Sequence, residues 1–271
     1  MRLALALAVA AAWTGLPAGA RAESGVDWQR KVVKCTGSGA ANLRDAGGNP
    51  AVARIGAEKA AKLDALRNCM EALKGVQLES GKTVGGALAS DQTLTGQVQG
   101  LVKGFKVVGA PRYFSDGGVE LDVELPLEGA MSDALLPKPD PKDEPKAEPK
   151  RKSESAPVGT SLVVDARGQK LVPALAPRIV DEGGKVVYGP ATLGEKGRKA
   201  GGTFAYANDL SAAQRSMKDR LGEQPFVVKA VRAQGADLVI STADATTLTS
   251  GDAPFLAEGR VVVLADQGER P

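Results

Sequence analysis

The longest periodic pattern in the chain predicts a helix from 50 to 75, a region rich in alanine. Its large apolar residues recur at intervals of three or four, the spacing of one helix face: Leu63, Leu66, Met70 and Leu73. Asn49 and Pro50 are typical start signals, and Gly75 is a typical stop. We expect this stripe to face a core, because an amphipathic helix buries its apolar side. A weaker helical pattern covers 91–102.

Strand-like alternation surrounds this helix. Residues 28–36 alternate apolar and basic positions and lead into Gly37, Ser38 and Gly39, which predicts a strand running into a turn. Two further runs, 105–113 and 118–126, are separated by Ser-Asp-Gly-Gly, a hairpin signal. The first part therefore reads as an α+β module of about three strands against one long helix.

Glu120, Asp122 and Glu124 occupy alternate positions of the last run and resemble a paired acid and base. The residues between them are all apolar, so period-two alternation predicts that the three acids form the wet side of a half-buried strand. We therefore do not assign a glycosidase-like role to them.

A second set of patterns begins after residue 159. One helical segment at 211–221 follows a capping Asp209, and Ser241 with Asp244 forms a possible capping box. The strand-like runs lie at 161–164, 178–180, 185–188, 226–231, 237–240 and 260–264. We predict an α/β or α+β domain here, and an α+β fold class for the whole chain.

The segment between these parts has a different composition. Residues 137–158 contain six prolines among Lys, Asp and Glu, with no aliphatic run. Such a sequence cannot form a core and favours extended conformations, so it could separate two domains by up to ~65 Å at about 3.1 Å per residue. We predict domains at 23–136 and 159–271 joined by a disordered linker. The simpler interpretation of residues 137–158 is a solvated spacer, and the more specific one is a spacer that extends across part of a cell envelope.

Residues 1–22 have the pattern of a secretory signal peptide. Arg2 precedes an apolar run from Leu3 to Trp13, and the segment ends in an A-x-A pattern at Ala22, which places cleavage between Ala22 and Glu23. About 11 apolar residues cannot cross a hydrocarbon core that needs about 20. No later segment is long and apolar enough to span a membrane, so we expect export without a transmembrane span.

Composition removes most enzyme classes. The chain has no histidine and only two cysteines, so triads built on an imidazole base and the common zinc sites are excluded. We expect no metal, cofactor or enzymatic activity; the alternative, a hydrolase that uses a Ser-Lys or carboxylate pair, has no local signature in the sequence. In an oxidising compartment Cys35 and Cys69 have one possible pairing, and we predict that disulfide. The alternative is two reduced cysteines that fill core space.

Charge gives little information about a partner. The net charge of +3 falls to +1 without the predicted signal peptide, which contains two arginines and no acid. A nucleic-acid binder would show a basic excess, so we expect none. A glycine-rich stretch from 189 to 202 contains Lys196, Arg198 and Lys199, which makes it a candidate anion-binding loop. Surface mobility explains the same composition.

Three segments within residues 28–128 resemble the LPP-twenty-like lipoprotein family of bacterial envelope proteins. The resemblance lies in TGSGAAN, in the helix AVARIGAEKAAKLDALRNCMEALKGV and in the hairpin from Tyr113 to Leu127. The same module resembles the N-terminal region of flagellar assembly protein T. The later segments LVVDARG and PFVVKAVRAQGADLVIS are similar to a region that accompanies such modules in exported bacterial proteins.

The resemblance implies a periplasmic or cell-surface component, including one associated with the outer membrane. A lipoprotein would have a cysteine directly after its signal, whereas this chain has Glu23, so we do not expect a lipid anchor. We therefore expect an exported, non-enzymatic structural or assembly protein whose partner is an envelope protein or glycan. The alternative is a periplasmic module that binds a small anion or glycan.

Overall fold

The computed structural model describes residues 25–136, 159–199, 202–250 and 253–266. The predicted signal peptide, its cleavage position at Ala22 and Glu23, and the proline-rich segment 137–158 lie outside these residues. We call 25–136 the N-terminal lobe and the described residues from 159 to 266 the C-terminal lobe. The fold is mixed α+β, as the sequence predicts, and the C-terminal lobe is distinct from the N-terminal one.

The N-terminal lobe is an antiparallel sheet with one long helix on one face. Its strand order is β1-β2-β6-β5, and α1 packs on the two central strands. The predicted hairpin is confirmed, and the sheet has four strands where the sequence predicted about three. The elements are β1 Gly25–Asp27, β2 Val32–Ala40, α1 Pro50–Gly75, β3 Gln77–Glu79, β4 Lys82–Thr83, α2 Val84–Ser90, α3 Gln92–Val102, β5 Lys106–Tyr113, β6 Gly118–Pro126 and α4 Ala130–Leu135.

Helix α1 begins and ends where the sequence predicts. The Asn49 side chain accepts hydrogen bonds from the backbone N–H groups of Ala51 and Val52, and the helix ends at Gly75. Cys35 of β2 and Cys69 of α1 form the predicted disulfide, with their Cα atoms 5.5 Å apart. Helix α3 occupies the predicted range except for its first residue, Asp91, whose side chain accepts from the N–H of Leu94 and caps the helix.

The contact between α1 and β2 is unusually close. Gly37 and Gly39 are not a turn, as the sequence suggested, but lie inside β2 directly under the helix. A Cβ atom on Gly37 would lie 2.6 Å from the Cβ of Ala65, and one on Gly39 would lie 2.7 Å from the backbone nitrogen of Ala61. The helix backbone therefore rests on the strand backbone, a distance that only glycine allows.

This closeness selects a different buried face from the predicted one. The residues of α1 that are buried form a line of small side chains with a single leucine at its end: Ala53, Ala57, Ala61, Ala65, Cys69 and Leu73. Of the predicted stripe, only Leu73 is fully buried; Leu66 and Met70 are partly buried, and Leu63 is 66% exposed. The prediction that this stripe faces a core is confirmed for Leu66, Met70 and Leu73 and wrong for Leu63, because the glycines of β2 leave room for alanine but not for leucine directly above them.

The opposite face of the sheet is polar. The prediction for Glu120, Asp122 and Glu124 is confirmed, since the residues between them are buried and the acids are not. Arg112 donates to Asp122 and Glu120, and Arg30 forms a bidentate pair with Glu124. These exposed pairs give the sheet a solvated surface.

The C-terminal lobe contains two sheets. The order β10-β14-β7-β11 is parallel throughout, and β12-β13-β8-β9 is mixed. The predicted helix at 211–221 is two short helices, and Asp209 caps the first as expected. The elements are β7 Ser161–Asp165, β8 Ile179–Val180, β9 Val186–Tyr188, a 3-10 turn Pro190–Thr192, α5 Glu195–Lys199, β10 Ala205–Ala207, α6 Leu210–Ser216, α7 Lys218–Leu221, β11 Pro225–Lys229, β12 Arg232–Gln234, β13 Asp237–Val239, α8 Thr242–Ser250, α9 Pro254–Ala257 and β14 Val261–Leu264.

Both faces of the parallel sheet are buried. Alternate residues of β7 and β14 belong to two separate clusters: Val163 and Val262 pack with α6 and α7, while Leu162 and Val261 join the main core. Such strands read as continuous apolar runs, which is why periodicity alone did not reveal the topology. The main core continues into the N-terminal lobe without a break.

The two lobes touch through backbone as well as side chains. The N–H of Leu175 donates to the carbonyl of Gln77 at 2.9 Å, and that of Ala176 donates to the carbonyl of Leu78 at 2.7 Å. Trp28 packs edge-on against Tyr206 with ring centres 5.6 Å apart. The lobes are therefore in contact, whatever separation segment 137–158 would permit. Among the described residues, no helix combines the length and apolarity needed to cross a bilayer.

Replacing Gly37 with alanine is expected to lower the free energy of unfolding by about 1–3 kcal/mol or more, because the new methyl group forces α1 away from β2. Gly56→Ala is the matched control: Gly56 is on the exposed side of the same helix, where an added Cβ would meet open space. Its substitution should stabilise by up to about 1 kcal/mol. Urea unfolding measures both, and equal effects would contradict the close-contact account.

Removing the disulfide as Cys35→Ala/Cys69→Ala is expected to cost about 3–4 kcal/mol in the chain-entropy model, because the bond closes a loop with a sequence separation of 34. The denaturant midpoints of the variant and of the reduced wild-type chain should both be lower than that of the oxidised protein, and by similar amounts. A variant as stable as the oxidised protein would show that the crosslink contributes nothing.

Candidate functional site

The strongest concentration of buried polar groups lies at the junction of the lobes. The turn between β1 and β2 supplies Trp28 and Lys31, and the segment after β6 supplies Glu128 and Ser132. The C-terminal lobe supplies Arg220 from α7 and residues 202–206 from the segment that leads through β10. We call these groups the junction cluster.

Lys31 is the central cation of this cluster. Its backbone has a left-handed φ of 48°, and its side chain is 9% exposed. The ammonium nitrogen is 3.3 Å from a carboxylate oxygen of Glu128, which is itself half exposed. Desolvation by burial, with the nearby Arg220 guanidinium adding to it, lowers the pKa of Lys31 to about 7 although Glu128 opposes the shift.

Arg220 extends the cluster across the junction. It donates from Nη2 to the carbonyl of Gly202 at 3.0 Å. Burial also lowers the pKa of this guanidinium, with Tyr188 and Glu128 opposing the change. Two cations and one carboxylate thus share a poorly solvated region, which is an arrangement that favours the neutral form of the weaker base, Lys31.

The tyrosine hydroxyl groups around the cluster donate hydrogen bonds to backbone carbonyl groups. Tyr188 donates to the carbonyl of Thr203 at 2.7 Å, and Tyr206 donates to the carbonyl of Ala174 at 2.9 Å. Burial raises the pKa of both phenols above the ordinary value. Within the described part of the chain, no buried side-chain polar atom lacks a hydrogen-bond partner.

The space left at the junction is small. A cavity of about 10 Å³ is lined by residues of both lobes, among them Trp28, Lys31, Ser132 and Tyr206. That volume holds about one water molecule, not an organic ligand. The described residues of the junction are therefore packed against one another and leave no room for an organic ligand.

The residues of the predicted anion-binding loop lie on α5. Lys196 is exposed, whereas Arg198 is buried and donates from Nη2 to the carbonyl of Pro190 at 3.1 Å. The side chain of Lys199 lies outside the described part. The buried Arg198 thus has a structural contact within its own lobe, and the anion site stays a prediction.

A wider groove lies between α3 and α4 in the N-terminal lobe. Its volume is about 440 Å³, and its lining includes Gly96, Gly100, Gln97 and Asp133. Among the described residues that line it, the one charged side chain is acidic, so the groove does not suit an anion.

The carboxyl edge of a parallel sheet is where such folds usually bind ligands. Here Arg167 forms a bidentate pair with Asp165 at 2.8 and 2.6 Å, which lowers the pKa of that carboxyl. Asp266 accepts from the N–H of Gly168 at 2.6 Å, and Asp209 caps α6. Within the described residues no three His, Cys, Asp or Glu side chains are grouped as metal ligands.

Sequence reasoning missed the junction cluster. Lys31 and Arg220 are in different lobes, and neither belongs to a motif. The sequence placed both Trp28 and Lys31 inside a predicted strand at 28–36, whereas residues 28–31 form the turn before β2, so no local signal marked Lys31 as buried.

Comparison with known families gives one match to the C-terminal lobe. A family model for the second domain of Treponema pallidum Tp0624 matches residues 161–267. No curated protein matches the chain. The similarity covers the lobe with the parallel sheet and does not extend to the N-terminal lobe.

The buried Lys31 predicts a pH dependence of stability. The folded protein releases the Lys31 proton at about pH 7, whereas the unfolded chain keeps it up to the ordinary value of 10.5. The unfolded state therefore binds more protons between these values, and the free energy of unfolding should rise from about pH 7 towards pH 10.5, with a slope of up to about 1.4 kcal/mol per pH unit.

Lys31→Met should abolish this rise, and chemical unfolding at several pH values measures it. Lys34→Met, at a position whose side chain is 45% exposed, is the control and should keep the slope. An unchanged slope in the Lys31 variant would refute the assignment.

Proposed function

We propose that the chain is an exported, non-enzymatic protein of the bacterial envelope that acts as a structural or assembly component. The observation that carries this proposal is the close packing of the two lobes: Leu175 and Ala176 donate backbone hydrogen bonds to β3, Trp28 packs on Tyr206, and the cavity left at the junction is about 10 Å³. Lobes packed this closely leave no room at their junction for an organic ligand, so the outer surfaces are what such a protein presents to a partner.

Two further features support export. The signal pattern of residues 1–22 directs the chain to an oxidising compartment, and the Cys35–Cys69 disulfide is the bond that such a compartment allows to persist. The resemblance of residues 28–128 to LPP-twenty-like proteins supports an envelope location. Periplasmic and secreted forms are both consistent with these features.

The alternative, binding of a small anion or glycan, has less support. Arg198, the central residue of the proposed loop, is occupied by the Pro190 carbonyl. Exposed Lys196 by itself is an ordinary surface cation.

In-cell cross-linking tests the proposal. A tagged full-length chain should give discrete adducts in the envelope fraction, and a non-reducing gel should show a mobility that differs from that of Cys35→Ala/Cys69→Ala. The matched control lacks residues 1–22 and should stay reduced and free of these adducts. Free monomer in the soluble fraction, or a catalysed turnover lost on one polar substitution, would disprove the structural role.

A further inference from the structure

The close packing of α1 leaves its large apolar side chains outside. Alanines occupy the buried face, and the residues on the far side of the helix project away from the sheet. Val52 is 50% exposed, Ile55 is 54% exposed and Leu63 is 66% exposed. Their spacings of three, eight and three residues place them on one helix face together with partly buried Leu66.

The same face carries exposed cations. Lys59, Lys62 and Arg67 lie between or beside the apolar residues at helical spacing, and all three are exposed. We call these three cations with Val52, Ile55 and Leu63 the outer face of α1. Among the described residues none of the three has an ion-pair partner.

Two acids of the helix, Glu58 and Asp64, lie on its flanks and accept hydrogen bonds there. Glu58 accepts from the Tyr113 hydroxyl at 2.8 Å, and Asp64 accepts from the backbone N–H of Ser38 at 3.0 Å. Glu71 pairs with Lys74. Glu71 lies one helical turn beyond Arg67 with its side chain 66% exposed, and Lys74 neutralises it, so the outer face from Val52 to Arg67 is apolar and positive.

We propose that the outer face of α1 binds an anionic lipid surface, with the helix lying in the plane of the membrane interface. Apolar side chains between cations suit such a surface, because the apolar groups enter the headgroup region while the lysine and arginine stems reach the anionic headgroups. The charge is complementary to phosphatidylglycerol-type lipids.

Other occupants fit the face less well. A second copy of the chain would place the three cations against the same three cations, which like-charge repulsion opposes. A helix ridge is convex, so a protein partner would need an acidic groove of its own, whereas a lipid surface deforms around projecting side chains. The inference deepens the proposed function and rests on it for the biological setting, since only an exported chain meets an envelope membrane from outside the cytoplasm.

Vesicle co-sedimentation tests binding directly. The chain from Glu23 to Pro271, which contains every described residue, is mixed with vesicles of phosphatidylglycerol and phosphatidylcholine, or of phosphatidylcholine alone. We expect binding only to the anionic vesicles, and its loss at about 1 M salt, where the Debye length is about 3 Å. No binding to anionic vesicles overturns the proposal.

Paired variants locate the contact. Ile55→Gln/Leu63→Gln should reduce partitioning by about tenfold or more, because two apolar anchors are removed. Val172→Gln/Val231→Gln is the control, since these valines are 45% and 46% exposed in the other lobe. Lys59→Gln/Lys62→Gln/Arg67→Gln should have a comparable effect, with Lys185→Gln/Lys218→Gln/Lys229→Gln as its control.

The outcomes separate this inference from the proposed function. Equal binding by the outer-face variants and the controls overturns the assignment of the face. A third outcome is that the wild-type chain does not bind anionic vesicles but still forms envelope adducts in cells, and that the outer-face variants lose these adducts. The face then contacts an acidic protein. The lipid proposal is overturned in that case, and the structural role stands. Circular dichroism confirms that each variant is folded.

Discussion

The contact between α1 and β2 determines much of this protein's form. Gly37 and Gly39 let the helix backbone rest on the strand, and the alanines above them fill the space that remains. The Cys35–Cys69 bond links the same two elements. A close contact of small residues gives many dispersion contacts over a short distance, and it tolerates little change in volume at either side.

That contact also decides what the surface of the N-terminal lobe presents. Because alanine and Cys69 fill most of the buried face of α1, with Leu73 at its end, the side chains of Val52, Ile55 and Leu63 remain outside. The solvent-exposed face of the sheet differs from this helix surface, because its charges are paired, as in Arg30 with Glu124. The N-terminal lobe thus has one polar surface whose charges are paired and one surface that is apolar and positively charged.

The junction joins this lobe to the parallel sheet of the C-terminal lobe. Hydrogen bonds from Leu175 and Ala176 to β3 extend backbone pairing from one lobe to the other, and the main core is shared. Buried Lys31 and Arg220 carry an energetic cost at this junction, because each cation is desolvated and Glu128 is the carboxylate that offsets both among the described residues. The similarity to the second domain of Tp0624 covers one side of this junction.

The sequence by itself determined the local elements and the redox chemistry. Helix α1, its cap at Asn49, the hairpin of β5 and β6 and the wet face of β6 follow from spacing and turn residues, which act between near neighbours. Two cysteines allowed one pairing. Only the tertiary structure decided which face of α1 is buried, because that depends on the glycines of β2. It also decided which groups surround Lys31, because Arg220 approaches from the other lobe. Such contacts join residues far apart in the chain, where periodicity carries no information.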